Sequence, residues 1–203
     1  MDADEISEKI ISLRAKDEKL RKKQIRNRTL SIGYDSEMEA LHNSNARELN
    51  ELMAIIGYPT AEKVGQEASE AAWLIIQHSI GQPDFMKKAA KLLEEAVQEG
   101  VADPQSLAYL TDRIAVFEGR PQLYGTQFDW DDNGEMHPTQ LDDFNKVNQR
   151  RKAIGFNTLE EQAAIMKERV KNENQRPPKD IEERKRVYDE WRKSVGWIKS
   201  TPP

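Results

Sequence analysis

The 203-residue chain has no cysteine, only three histidines, 7% aromatic residues and no long apolar run. Without a thiol there is no thiolate nucleophile, no zinc–cysteine centre and no redox switch. The longest apolar run, Ala71 to Ile76, falls far short of the roughly 20 residues that a bilayer span needs. No basic-then-apolar leader opens the sequence, so a cytoplasmic location is expected and a membrane is not an expected partner. There is also no Gly-x-Ser-x-Gly, no phosphate-binding glycine loop and no dinucleotide fingerprint, which removes serine hydrolases, nucleotide hydrolases and dehydrogenases. Internal repeats and low-complexity segments are absent.

What the chain does have is charge, at 33% of residues and a net −5. Residues 1–35 carry nine basic and seven acidic side chains, residues 36–141 seven and eighteen, and residues 142–203 fifteen and eleven. Phosphate neutralisation dominates nucleic-acid affinity, so a middle this acidic makes nucleic acid an unexpected partner. The oppositely charged ends can instead meet the body, or a second copy of the chain.

Apolar spacing predicts a mainly α protein. One helix runs from Asp4 to about Asn27, with Ile6, Ile10, Leu13 and Leu20 on one stripe. Asp17 and Gln24 fall on that same stripe, where a polar residue either sets register or points into a polar cavity. Asp17 also stands four residues before Arg21, the spacing of a surface ion pair. Gly33 interrupts before a helix from Ser36 to Ile56, closed by Gly57-Tyr58-Pro59. The next, from about Val64-Gly65 to His78, is apolar all round at Ala71 to Ile76, as a central core helix is. Pro83 opens another helix, Asp103-Pro104 opens the one bearing Leu107, Leu110, Ile114 and Phe117, and Asn133-Gly134 marks a β-hairpin within residues 121–138. Two more helices follow near 142–153 and 158–172. Pro177-Pro178 then precedes an amphipathic helix with Ile181, Tyr188, Trp191 and Val195 on one face. The expected organisation is an N-terminal helix (1–35), a helical core with the hairpin (36–172), and a linker with a C-terminal helix (173–203).

Few groups suit chemistry. His78 ends the most apolar helix, directly after Gln77, where an imidazole either serves a site or simply favours the helix dipole and caps the last carbonyls. Asp112 and Arg113 point about 100° apart beside a buried stripe, so at least one reaches an internal partner. Gln122, Tyr124 and Gln127 surround Gly125 at the entry to the hairpin, and a strand glycine often marks close approach by a ligand or another backbone. Asp129, Asp131, Asn133 and Gly134 match the opening of a calcium loop, but Gln140 stands where a bidentate Glu is required, so an ordinary hairpin is preferred. No H-x-x-x-H spacing links His42, His78 and His137, and neither a metal nor another cofactor is expected.

Three ordered motifs carry a resemblance: Glu70-Ala71-Ala72-Trp73-Leu74-Ile75-Ile76-Gln77-His78, Ala108-Tyr109-Leu110-Thr111-Asp112-Arg113, and Pro121-Gln122-Leu123-Tyr124-Gly125-Thr126-Gln127. With Gly57-Tyr58-Pro59-Thr60 before them, they resemble a bacterial family described only as a domain of unknown function, over about Leu13 to Met166. The resemblance extends to Asp17, Arg21, Asn45, Arg150-Arg151 and Gly155. It implies that Gln77, His78, Asp112, Arg113, Gln122, Tyr124 and Gln127 belong together, and it brings no activity with it. Tyr58 stands where the pattern suggests tryptophan, and Ser79-Ile80 where it suggests a small residue and an acid.

Two readings follow. In the first, these residues form a pocket for a small polar ligand, suited to hydrolysis or group transfer on a polar metabolite. His78 is then the acid or base, Asp112 orients it or a ligand amine, Arg113 holds an anionic group, and Gln77, Gln122, Tyr124, Gln127 and Asp17 contact the ligand. In the second, the polar motifs are internal struts of a structural or interaction protein. Its terminal helices then meet a partner or a second copy.

Overall fold

The computed structural model describes residues 1–27 and 34–199. The predicted break at Gly33 lies outside them. The fold is mainly α with one small hairpin, and it divides into two compact units, residues 1–103 and 104–203.

The first unit holds α1 (Ala3–Asn27), α2 (Ser36–Ile56), α3 (Ala61–Val64), α4 (Gln66–His78) and α5 (Pro83–Gln98). Helix α1 starts with a reciprocal cap: the Asp2 N–H donates to Glu5 and the Glu5 N–H to Asp2, each at 2.9 Å, which satisfies end donors that the helix itself cannot. Asp35 caps α2 by accepting from the N–H groups of Glu37 and Met38. The helix predicted from about Val64-Gly65 to His78 is α4, and the spacing did not signal the four-residue α3 before it; Gly65, at φ +78°, caps both and redirects the chain between them.

Helix α4 packs against α1, α2, α3 and α5, and its Ala71, Ala72, Ile75 and Ile76 are almost wholly buried. Helix α1 also packs against α2. The buried stripe of α1 runs Ile6, Ile10, Leu13, Asp17, Leu20, Gln24, so the two polar residues on the apolar spacing are as buried as their neighbours. Polar links reinforce the packing. The Ser7 hydroxyl donates to the Val64 carbonyl at 2.7 Å, and Asn45 Nδ2 to the Leu13 carbonyl at 3.2 Å.

The second unit holds α6 (Pro104–Phe117), β1 (Phe128–Trp130), β2 (Met136–Pro138), α7 (Phe144–Ala153), α8 (Leu159–Asn172) and α9 (Ile181–Val195). The strands pair antiparallel, Phe128 opposite Pro138 and Trp130 opposite Met136, and α8 packs against β2. In the hairpin turn Asp131 Oδ1 accepts from the N–H groups of Asn133 and Glu135. Asp129 pairs with Arg184 at 2.8 Å and Asp132 with Lys185 at 2.7 Å. The acids that resemble a calcium loop are thus engaged by backbone amides and by the cations of α9.

The described part of the C-terminal segment, residues 173–199, closes the end of α6. Phe117 stacks on Trp197 with ring centroids 4.9 Å apart and meets Tyr188 and Trp191 at 6.3 and 5.7 Å. Arg192 Nη1 donates to the carbonyls of Val116 and Phe117, two of the acceptors that a helix C-terminus leaves open. Trp197 is only 4% exposed. Trp197→Ala is therefore expected to destabilise the second unit by about 3 to 5 kcal/mol, the usual cost of emptying a large aromatic site, measurable as a lower urea midpoint. A midpoint equal to wild type would mean that the tail does not stabilise α6.

Candidate functional site

In the first unit the buried polar residues of three helices meet. Asp17 of α1 is 2% exposed. His78 Nδ1, at the end of α4, lies 2.7 Å from Asp17 Oδ2, and His42 Nε2, on α2, lies 3.3 Å from the same oxygen. The two imidazole rings are 5.0 Å apart by centroid. Behind His42, Tyr34 Oη is 2.9 Å from Nδ1. Gln24 Nε2 donates to Asp35 Oδ1 at 2.6 Å, which ties α1 to the cap of α2.

A pocket of about 140 Å³ opens on this cluster, lined by Asp17, Arg21, Gln24, Tyr34, Asp35, Met38, His42 and His78. A volume of this size takes several waters and suits a small polar group. The His78 side chain is 24% exposed and His42 9%, so His78 is the imidazole that an occupant can reach.

Burial alone pushes the Asp17 carboxyl up. The contacts from His42 and His78, with their positive potential, outweigh that burial and hold it well below the usual carboxylate range. Asp17 is therefore an anion under all ordinary conditions. As acceptor it fixes the His78 tautomer with the proton on Nδ1, leaving Nε2 as the basic nitrogen. The i to i+4 pairing of Asp17 with Arg21 is not formed. Arg21 is exposed at the pocket rim and makes no ion pair among the described residues.

In the second unit the polar motifs are engaged differently. Asp112, 0% exposed, accepts from the N–H of Leu123 at 2.8 Å, from that of Tyr124 at 3.1 and 3.2 Å on its two oxygens, and from that of Thr126 at 2.9 Å. Burial pushes its carboxyl above the usual range, opposed by those backbone donors. Gln122 Oε1 accepts from the Gln127 N–H at 2.7 Å, while its Nε2 donates to the Gln127 carbonyl at 2.9 Å and to Thr139 Oγ1 at 2.6 Å. Gln127 Nε2 donates to Thr126 Oγ1 at 3.0 Å. Arg151, 2% exposed, donates to the carbonyls of Tyr124 and Asn157 and to the Asn157 side chain. Gly125 sits inside this loop at φ +64°, where an added Cβ would meet Leu159 Cδ1 at 2.7 Å. It is a turn residue rather than a strand residue, and what approaches it is a leucine side chain.

The sequence-predicted residues thus fall into two sets. Gln77, His78 and Asp17 lie in the first unit, with Gln77 buried one residue before His78. Asp112, Arg113, Gln122, Tyr124 and Gln127 lie in the second. The expectation that Asp112 orients His78 is corrected: both Asp112 oxygens are engaged by loop amides, and the carboxylate bonded to His78 is Asp17. Arg113 is half-buried with Tyr188 in its electrostatic surroundings, and Tyr124 takes part in the network through its backbone N–H and carbonyl. His42 and Tyr34 were missed as site residues. His42 was legible, because it lies with Met38, Asn45, Leu49 and Leu52 on the buried spacing of α2, the same signal that singled out Asp17.

A mainly helical fold with a buried carboxylate shared by two imidazoles defines the class as far as geometry goes. The chain belongs to the family of unknown function DUF6624, whose model matches residues 8–171. No curated protein and no solved structure matches it.

Two outcomes follow from these contacts. Asp17→Asn at neutral pH is expected to cost about 3 to 5 kcal/mol, the scale of removing one member of a buried charged pair. Because the Asp17 carboxyl is depressed on folding, its contribution is present above about pH 4 and fades as pH falls toward its folded value. The stability gap between wild type and Asp17→Asn should narrow on acidification, and a gap that widens below pH 4 would contradict the assignment. Asp112→Asn places amide hydrogens against backbone N–H donors, and a loss of about 2 to 4 kcal/mol is expected from the buried groups left unsatisfied. Hydrogen exchange should report that loss as faster exchange at residues 123–126.

Proposed function

We propose that the pocket on Asp17, His42 and His78 binds the anionic group of a small polar metabolite, and that the protein carries out hydrolysis or group transfer on it. The observation that carries this reading is a buried carboxylate bonded to a partly exposed imidazole at the mouth of a cavity of about 140 Å³. A carboxylate beneath an imidazole sets its tautomer and stabilises the imidazolium that forms on proton transfer. Arg21, at the rim and in no ion pair among the described residues, is the cation that meets the ligand's negative charge.

In the hydrolytic form, His78 Nε2 takes a proton from a water as the water oxygen bonds to the electrophilic centre. The bond to the leaving group then breaks, and the leaving group takes the proton from His78. Asp17 stays ionised throughout. Water is the only co-reactant.

The second reading, an interaction or structural role, is favoured by one observation in the second unit: Asp112, Gln122 and Arg151 are bonded to the protein's own loop. This unit is proposed as scaffold, with α9 capping α6, and its surface as the place for a partner or second copy.

The test is thermal unfolding with a panel of small carboxylates and phosphate esters, in wild type and in Arg21→Ala. Since Arg21 is exposed, its loss should leave basal stability within about 0.5 kcal/mol of wild type. At least one anion is expected to raise the wild-type Tm by several degrees and to do so weakly or not at all in Arg21→Ala. Shifts of equal size in both proteins, or none in either, would reject the pocket.

A further inference from the structure

We infer that Asp17, His42 and His78 form a binding site for a first-row divalent metal ion, with open positions facing the pocket. The inference rests on reading that pocket as a small-molecule site, and it names the cofactor which that site would use.

The donor set comes first. One carboxylate oxygen and one nitrogen from each of two imidazoles all lie within 4.8 Å of one another, and among the described residues this is the group of such side chains that converges. Two imidazoles and one carboxylate suit zinc, iron(II) or manganese(II), and they leave part of the coordination sphere open. In a tetrahedral zinc site, with ligands at about 2.0 to 2.2 Å, neighbouring donor atoms stand roughly 3.3 Å apart. The separations from Asp17 Oδ2 to His78 Nδ1 and His42 Nε2 are 2.7 and 3.3 Å, and all three donor atoms lie within 4.8 Å of one another, so an ion needs side-chain shifts of roughly 1.5 Å or less.

The second observation is an orphaned nitrogen. His42 is 8% exposed, and its Nε2 is buried with no hydrogen bond of acceptable geometry, although it faces Asp17 Oδ2 at 3.3 Å. Neither tautomer resolves this. If Nδ1 carries the proton and donates to Tyr34, Nε2 aims a lone pair at a carboxylate. If Nε2 carries it, the proton is poorly aligned. A cation between Nε2 and the carboxylate removes the conflict, with the Nδ1–H donated to Tyr34 Oη at 2.9 Å. That is the outer hydrogen bond that metal-bound histidines ordinarily make.

The third is access. A structural zinc site is closed by four protein ligands, whereas a catalytic one has three and a water. Here three side chains meet at a pocket of about 140 Å³. A bound ion would acidify its water to a pKa near 7, and His78 would then serve as a ligand in place of acting as the base.

The spacing argument against zinc addressed two histidines on one helix. These ligands come from three helices, at successive intervals of 25 and 36 positions, and no local motif records them.

The experiment is calorimetric titration of zinc into chelator-stripped full-length protein, paired with cobalt(II) absorption. One equivalent is expected to bind with a dissociation constant of about 1 μM or tighter, and cobalt should give visible bands of low coordination number. His78→Ala, partly exposed and so the variant most able to fold, should weaken zinc at least about 100-fold and remove the cobalt bands. His42→Ala should do the same, and Arg21→Ala should not. If His42→Ala fails to fold, His78→Ala and the cobalt spectrum decide. No stoichiometric binding, or binding unchanged in His78→Ala, overturns the site. Anion stabilisation of the stripped protein without zinc binding overturns the metal and leaves the anion pocket standing. Zinc binding without any anion effect supports the metal and rejects the anion reading.

Discussion

A carboxylate that cannot leave the core holds the first unit's polar centre together. Asp17 occupies a position of α1 that should be apolar, and a buried anion is tolerated only where it is paired and hydrogen-bonded. His78 at the end of α4 meets that need with a hydrogen bond, and His42 on α2 faces the same oxygen at 3.3 Å. The register of three helices is thereby coupled to one ionised group. Sliding α1 by a turn would bury Asp17 without partners and strand two imidazoles, a penalty that apolar contacts alone would not impose. The same demand puts a partly exposed imidazole at the edge of a small cavity, so the fold's constraint and the site's chemistry come from one set of contacts.

The second unit answers a similar demand with its own backbone. Asp112 is wholly buried on α6 and faces a loop that has few regular hydrogen bonds of its own, so the loop's N–H groups become its partners. Arg151 and Gln122 satisfy the neighbouring carbonyls and amides. The aromatic tail then covers the end of α6, with the acids of the hairpin turn paired to the cations of α9. The opposite charges seen along the sequence are in this unit a means of docking the tail.

Much of this was legible in the residues. Apolar spacing, caps and glycine stops locate α1, α2, α5, α6 and the later helices to within a few positions, because local helix signals are strong where a buried stripe is long. Gly65 was read at the start of a helix and is its N-cap, whereas α3 was missed because four residues are too few to show a period. Asp17 and His78 were visible as polar residues at apolar positions or helix ends. His42 carried the same signal and was passed over because metal and catalytic motifs are sought at short spacing, while this cluster assembles across more than sixty positions.

By itself the sequence determined the helical class, the longer helices, the hairpin and the need of Asp17 for an internal partner, since these depend on local periodicity and on the cost of burying polar groups. Only the tertiary structure decided who satisfies whom. Asp17 rather than Asp112 holds His78, and Asp112 holds a loop, because partner choice depends on which helix faces cross, and that is a property of the packed chain.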